Sequence, residues 1–168
     1  MRDLKKVFDN CMILVEEAGI KDCGNIIDVK VNTRAKRRWG QTKSIGYNMY
    51  TIDISEILLD EKVPLEALQN TVIHEILHTC PNCMNHGQEW VKRADIVKRR
   101  LGYNIKRCSD PKEKGISENI LNEYRKPKYV VKCIDCGHEA QRNRMCDIIK
   151  HPANWQCGIC GGKFQRIK

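Results

Sequence analysis

No run of about 18 apolar residues occurs in this chain, which excludes a membrane-spanning helix. The N-terminus also lacks the unbroken apolar stretch of a secretion signal. Met1-Arg2-Asp3-Leu4-Lys5-Lys6 leads instead into an amphipathic pattern carrying Glu16 and Glu17, which points to the cytoplasm. No internal repeat is present, so a repeat architecture is excluded. The ten cysteines do not read as a secreted disulfide scaffold, because six of them fall in three Cys-x-x-Cys pairs. In a cytosolic protein that spacing signals metal or redox chemistry.

The chain has 168 residues, 41% of them hydrophobic, which suits one domain with a real core or one domain plus a small module. The net charge of +9 is unevenly spread. From Pro111 onward there are twelve Lys/Arg against six Asp/Glu, and the earlier residues hold eighteen against fifteen. A basic excess of this kind suits nucleic acid or an acidic partner, although it also serves solubility.

The most informative motif is His74-Glu75-Ile76-Leu77-His78, followed by His86 in Asn85-His86-Gly87-Gln88-Glu89-Trp90. Leu65, Leu68, Val72, Ile73, Ile76 and Leu77 recur at helical spacing, so Pro64 to Thr79 is predicted as a helix stopped by Cys80-Pro81-Asn82. Residues four apart share a helix face, so His74 and His78 can both aim an imidazole at one Zn²⁺, with His86 as third ligand. Glu75 then reaches the remaining coordination position as a general base. A buried helix with two satisfied core histidines would leave Glu75 and His86 without a role.

Around this helix the pattern predicts an α+β domain. Residues 3–18 read as a helix ended by Gly19, and Ile26 to Val31 as a short strand. Arg37 to Gly40 and Ile45 to Ile54 read as two more strands, with a turn near Gln41 to Ser44. Ser55 to Leu59 reads as a helical turn, and Gln88 to Leu101 as a helix ended by Gly102. Residues 111–128 read as a linker, with a short helix around Ile116 to Tyr124 whose apolar face could pack on the first domain.

The tail carries Cys133-Ile134-Asp135-Cys136 and Cys157-Gly158-Ile159-Cys160, a C-x2-C-x20-C-x2-C spacing that reads as a structural zinc ribbon over residues 129–168. A module of that size needs the metal to fold. His138, Cys146 and His151 are spare ligands assigned to surface or packing. Cys11, Cys23 and Cys108 are read as ordinary thiols.

Asn32-Thr33-Arg34-Ala35-Lys36-Arg37-Arg38-Trp39-Gly40, Ile52-Asp53-Ile54-Ser55, Leu58-Leu59-Asp60, the HExxH helix and His86-Gly87-Gln88-Glu89-Trp90 together resemble the SprT-like (Spartan-type) zinc metallopeptidases. The tail resembles the zinc ribbon that many of them carry. The resemblance implies a zincin-like peptidase domain over residues 1–110, His74, His78 and His86 as zinc ligands, Glu75 as base, and DNA-bound proteins as substrates. The chain departs from the large eukaryotic members in its seven-residue loop between second and third ligands, and in having no room for their interaction motifs. The rival reading is a catalytically silent zinc-binding adaptor for DNA or protein. An intact Glu75 argues against it, since a purely structural three-histidine site needs no carboxylate there.

Several further residues carry two readings. Lys36-Arg37-Arg38 is a candidate nucleic-acid contact or a solvated strand end, and Lys98-Arg99-Arg100 offers the same choice at a helix C-terminus. Trp39 and Trp90 read as core or site wall. Tyr47 and Tyr50 are candidate oxyanion donors, with packing the plainer role. Cys80 and Cys83 either shape a tight turn or act as regulatory thiols, through latent zinc ligation, a mutual disulfide or a further metal.

Overall fold

The structure is a computed structural model that describes residues 1–35 and 38–168. The chain forms two compact units, Met1–Tyr124 and Arg125–Lys168, both of mixed helix and strand.

In the first unit, helix α1 (Leu4–Glu17) starts at Asp3, whose side chain accepts from Lys6 N–H at 3.2 Å. It ends before Gly19, whose φ of +84° suits glycine. Its buried residues Leu4, Phe8, Cys11 and Val15 form one stripe. Strands β1 (Asn25–Asn32), β2 (Gly40–Gly46) and β3 (Met49–Ser55) make a sheet of order β1-β3-β2, with β1 parallel and β2 antiparallel to β3. Both α1 and helix α2 (Leu65–Leu77) pack against this sheet and each other. Ile52 and Ile54 on β3, and Leu68, Val72, Ile73, Ile76 and Leu77 on α2, are all fully buried. Each such side chain contributes about 1.5–3 kcal/mol by leaving water. Helix α3 (Gln88–Leu101) packs on α2 and ends at Gly102, φ +78°.

Two expectations change here. Ile45 to Ile54 is not one strand, and Gln41 to Ser44 is not a turn. The hairpin turns at Tyr47-Asn48, where Asn48 takes a φ of +51°, a conformation asparagine tolerates better than most residues. The polar run 41–44 is instead part of β2, with Thr42 against α2 and Lys43 paired to Asp53. Consequently β3, paired on both sides, is the central strand, and β2 is an edge.

The segment 111–128, expected as a linker, divides at the unit boundary. Through Tyr124 it belongs to the first unit, with Ile116, Ile120 and Leu121 in its core. Helix α4 (Glu118–Arg125) supplies the last two of these. No helix among the described residues is long and apolar enough to cross a membrane.

In the second unit, β4 (Tyr129–Cys133) lies between β5 (Glu139–Arg142) and β6 (Phe164–Arg166), all antiparallel. A one-turn helix, α5 (Asp147–Lys150), adds Ile149 to a core otherwise made of Val131, Cys133, Cys157 and Phe164. So few apolar side chains leave the unit reliant on a further staple.

Candidate functional site

Helix α2 carries its chemistry at its C-terminal end. His74 and Glu75 lie in the last regular turn and His78 is the C-cap, still helical at φ −65°, ψ −18°. Two i→i+3 turns follow, Thr79 N–H to the Ile76 carbonyl and Cys80 N–H to that of Leu77. The loop then returns His86 to the same point. The three Nε2 atoms are 3.1 Å (His78–His74), 3.2 Å (His78–His86) and 3.0 Å (His86–His74) apart.

These distances fit one metal ion. His74 Nδ1 donates to the Lys106 carbonyl at 2.9 Å, and His78 Nδ1 to the Cys83 carbonyl at 2.6 Å. That tautomer leaves an Nε2 lone pair on each ring, facing the other across a gap only a cation makes favourable. Tetrahedral zinc with Zn–N near 2.0–2.1 Å would separate its nitrogens by about 3.3 Å. Burial first, then the neighbouring imidazoles, push His74 down to about 3, so it stays neutral and free to ligate. Trp90, 1% exposed, packs against the histidines, its ring centre 4.6–5.7 Å from the centres of all three imidazoles.

Glu75 points into the same cleft. The Thr42 hydroxyl lies 2.8 Å from its Oε2 and 2.8 Å from its backbone carbonyl oxygen, so it can donate to either. Burial raises the Glu75 carboxyl to about 7, with the Thr42 contact working in the opposite direction. Gly40 passes directly over this carboxyl, and a Cβ there would sit 2.8 Å from Glu75 Cδ. The cleft has a volume of about 840 Å³, with Trp39, Thr71 and Lys114 in its walls beside the histidines and Glu75. Trp39 is anchored by its indole N–H, which donates to the Ser109 carbonyl at 2.9 Å.

The second ligand set is Cys133, Cys136, Cys157 and Cys160, whose sulfurs all lie within 4.8 Å of one another. Both Cys-x-x-Cys-Gly knuckles close alike. Gly137 N–H donates to the Cys133 carbonyl at 3.1 Å and Gly161 N–H to that of Cys157 at 2.8 Å. Each glycine has positive φ, +76° and +77°. Backbone N–H groups of the knuckles favour the thiolate at Cys133 and at Cys157. Four thiols so close suit a closed tetrahedral zinc shell.

A model of the SprT-like family matches residues 10–109. The chain belongs to the SprT-like family. No curated protein matches it significantly. The family match runs from the middle of α1 past the end of α3, including the three histidines and Glu75, and stops before Lys114 and the four-cysteine unit.

Other sequence candidates fall variously. Arg38 is exposed and lines the cleft, whereas Lys36 and Arg37 lie outside the described residues. Lys98, Arg99 and Arg100 form the last turn of α3. Tyr47 is 99% exposed at the hairpin tip, Tyr50 packs over Gly24, and neither lines the cleft. His138, Cys146 and His151 are not in the four-cysteine group. No sulfur joins the three imidazoles among the described residues. Cys83 Sγ turns to the Pro81 carbonyl at 3.3 Å, and Cys80 Sγ lies 3.3 Å from Cys23 Sγ. Sequence reasoning missed Thr42, Gly40, Lys114 and Cys23. Thr42, Lys114 and Cys23 have no motif, Gly40 lies in the stretch that carries the resemblance without a role read from it, and each matters only through contacts across the fold.

Proposed function

We propose that the chain is a zinc-dependent endopeptidase of zincin type that acts on DNA-associated proteins, with a second, structural zinc in its C-terminal ribbon. The observation that carries this reading is the oriented Glu75 carboxyl beside three converging imidazoles in an open cleft. A zinc ion held by His74, His78 and His86 would polarise the scissile carbonyl and bring the pKa of the attacking water to about 7.

The chain's own residues do the rest. Glu75 takes a proton from the attacking water and returns it to the leaving amine. Thr42 fixes the carboxyl orientation, and Trp90 holds the imidazole rings in place. Strand β2 is the edge beside the cleft, since Gly40, Gln41 and Thr42 line it. An extended substrate pairing with β2 would be recognised mainly through its backbone, giving broad specificity. The DNA association rests on family membership and on the basic tail.

The test is incubation of the zinc-loaded protein with a DNA-binding protein, with and without DNA. Fragments that appear for the parent and not for Glu75→Gln support the reading. Undiminished cleavage by Glu75→Gln, or none by the parent under any condition, removes it. DNA affinity that falls steeply with salt supports phosphate contact, and a flat salt response removes it.

A further inference from the structure

Lys114 is the sole buried lysine or arginine among the described residues, at 8% exposure, and it lines the same cleft as Glu75 and His74. Its ammonium donates to Thr71 Oγ1 at 2.7 Å. The Thr71 hydroxyl spends its own proton on the Ala67 carbonyl at 2.8 Å. Lys114 Nζ also stands 6.0 Å from the centre of the Trp39 ring. An ammonium has three donors, and among the described residues one is met by a hydrogen bond.

Glu113 and Glu75 act on Lys114 only from a distance, and each has a direct partner elsewhere. Glu113 is bound to Lys106 at 2.6 Å and accepts from Asp110 N–H at 3.1 Å. Glu75 is held by Thr42. Among the described residues no carboxylate is within ion-pair distance of Lys114. A buried ammonium without a counter-charge is costly unless something else supplies that charge.

The placement is built rather than accidental. Asp110 Oδ1 accepts from Glu113 N–H at 2.8 Å, Lys114 N–H donates to the Asp110 carbonyl at 3.3 Å, and Gly115 turns the chain at φ +67°. Next to Thr71, Asn70 also lines the cleft, and its Oδ1 is buried without a partner. This wall therefore holds a cation with no ion-pair partner among the described residues and, behind it, a buried amide oxygen with no partner. The same lining holds Arg38, Lys106, Arg107 and Lys112 against Glu66, Glu75 and Glu113, so with Lys114 its cations outnumber its acids.

We propose that Lys114, its ammonium positioned by Thr71, forms a substrate subsite for a carboxylate, and that Lys114 sets a preference for an acidic residue near the cleaved bond. This rests on the peptidase reading above. The carboxylate comes from an Asp or Glu side chain or from a peptide's C-terminus. Asn70 and Thr71 lie one helical turn before His74 and Glu75, roughly 5.4 Å along α2. An extended peptide advances about 3.3 Å per residue, so the acidic residue sits one or two positions from the bond that is cut.

The experiment compares peptides of one sequence with Glu or Gln placed at each of the two positions on either side of the cleaved bond, with free or amidated C-termini. The readout is the ratio of kcat/KM for each acidic peptide to its neutral partner within one protein, so a general loss of activity cancels. The zinc-loaded parent should prefer Glu at one position by about ten- to a hundredfold. Lys114→Met should bring that ratio to about one, Lys114→Arg should keep much of it, and Lys114→Glu should invert it toward a Lys-containing peptide. A preference that depends on the free C-terminus assigns the carboxylate to that end, and one that survives amidation assigns it to the side chain. A ratio near one in the parent, or unchanged in Lys114→Met, overturns the subsite. If no peptide is cleaved, the same ratios are read as Kd by fluorescence anisotropy. A Lys114-dependent acidic preference in binding then upholds the subsite while the peptidase reading fails, and its absence overturns the subsite. Lys114-dependent binding of an oligothymidylate without any acidic-peptide preference also overturns it, because the anion would then be a phosphate.

Discussion

Thr42 on β2 and Glu75 on α2 are joined by a contact that crosses from sheet to helix. One hydroxyl lies 2.8 Å from both the carboxylate and the backbone carbonyl of the same glutamate. Thr42→Val keeps the shape and removes the donor. It is expected to retain metal and fold while kcat falls about tenfold or more, since a misaimed base transfers protons less well. Glu75→Gln should lose roughly two to four orders of magnitude with metal retained. Steady-state kinetics with metal analysis checks both, and a Thr42→Val enzyme as fast as the parent would remove the positioning role.

Gly40 is expected to tolerate no side chain. A Cβ there would stand 2.8 Å from Glu75 Cδ, so Gly40→Ala must displace the carboxyl or the strand. Activity should fall well before stability does, because the clash is with a cleft side chain and not with the core. Parallel thermal melts and rate assays distinguish the two.

Two ligand sets predict about two zinc equivalents in the purified protein. His86→Ala should lose one and Cys157→Ser the other, each leaving its counterpart bound. Loss of both from either variant would mean that the two sets do not bind independently.

Cys80 faces Cys23 at 3.3 Å, whereas Cys83 Sγ faces the Pro81 carbonyl. Mild hydrogen peroxide should therefore link Cys23 to Cys80, two thiols giving one disulfide and two waters. Peptide mapping that instead found Cys80 joined to Cys83 would contradict this pairing.

Lys114 supplies a pH test that is independent of catalysis. Burial lowers its pKa from 10.5 to about 8, against the opposing pull of Glu113 and Glu75. Between those two values the unfolded chain binds the proton and the native chain does not, so raising the pH favours the native state. The parent should gain stability relative to Lys114→Met from about pH 8 to 10.5. A constant difference across that window in denaturant melts would mean that Lys114 is solvated.

By itself the sequence determined whatever depends on neighbours along the chain. Helical spacing put His74 and His78 on one face beside Glu75. The two Cys-x-x-Cys-Gly knuckles close on their own backbone, and the apolar stripes of α1, α2 and α3 were readable as periodicities. The hairpin was misphased because β-favouring residues run on either side of its turn, and only pairing with β3 shows that 41–44 is strand. The segment 111–124 looked like linker because its few apolar residues gain meaning only against the core that buries them. Thr42, Gly40, Lys114 and the Cys23–Cys80 pair were decided by tertiary structure alone. Each joins residues 33 to 57 positions apart or more, as Thr42 to Glu75, Lys114 to Thr71 and Cys23 to Cys80 show. A hydroxyl, a bare backbone or an ammonium has no pattern in sequence. Its effect comes from the low-dielectric, close-packed surroundings that folding alone creates.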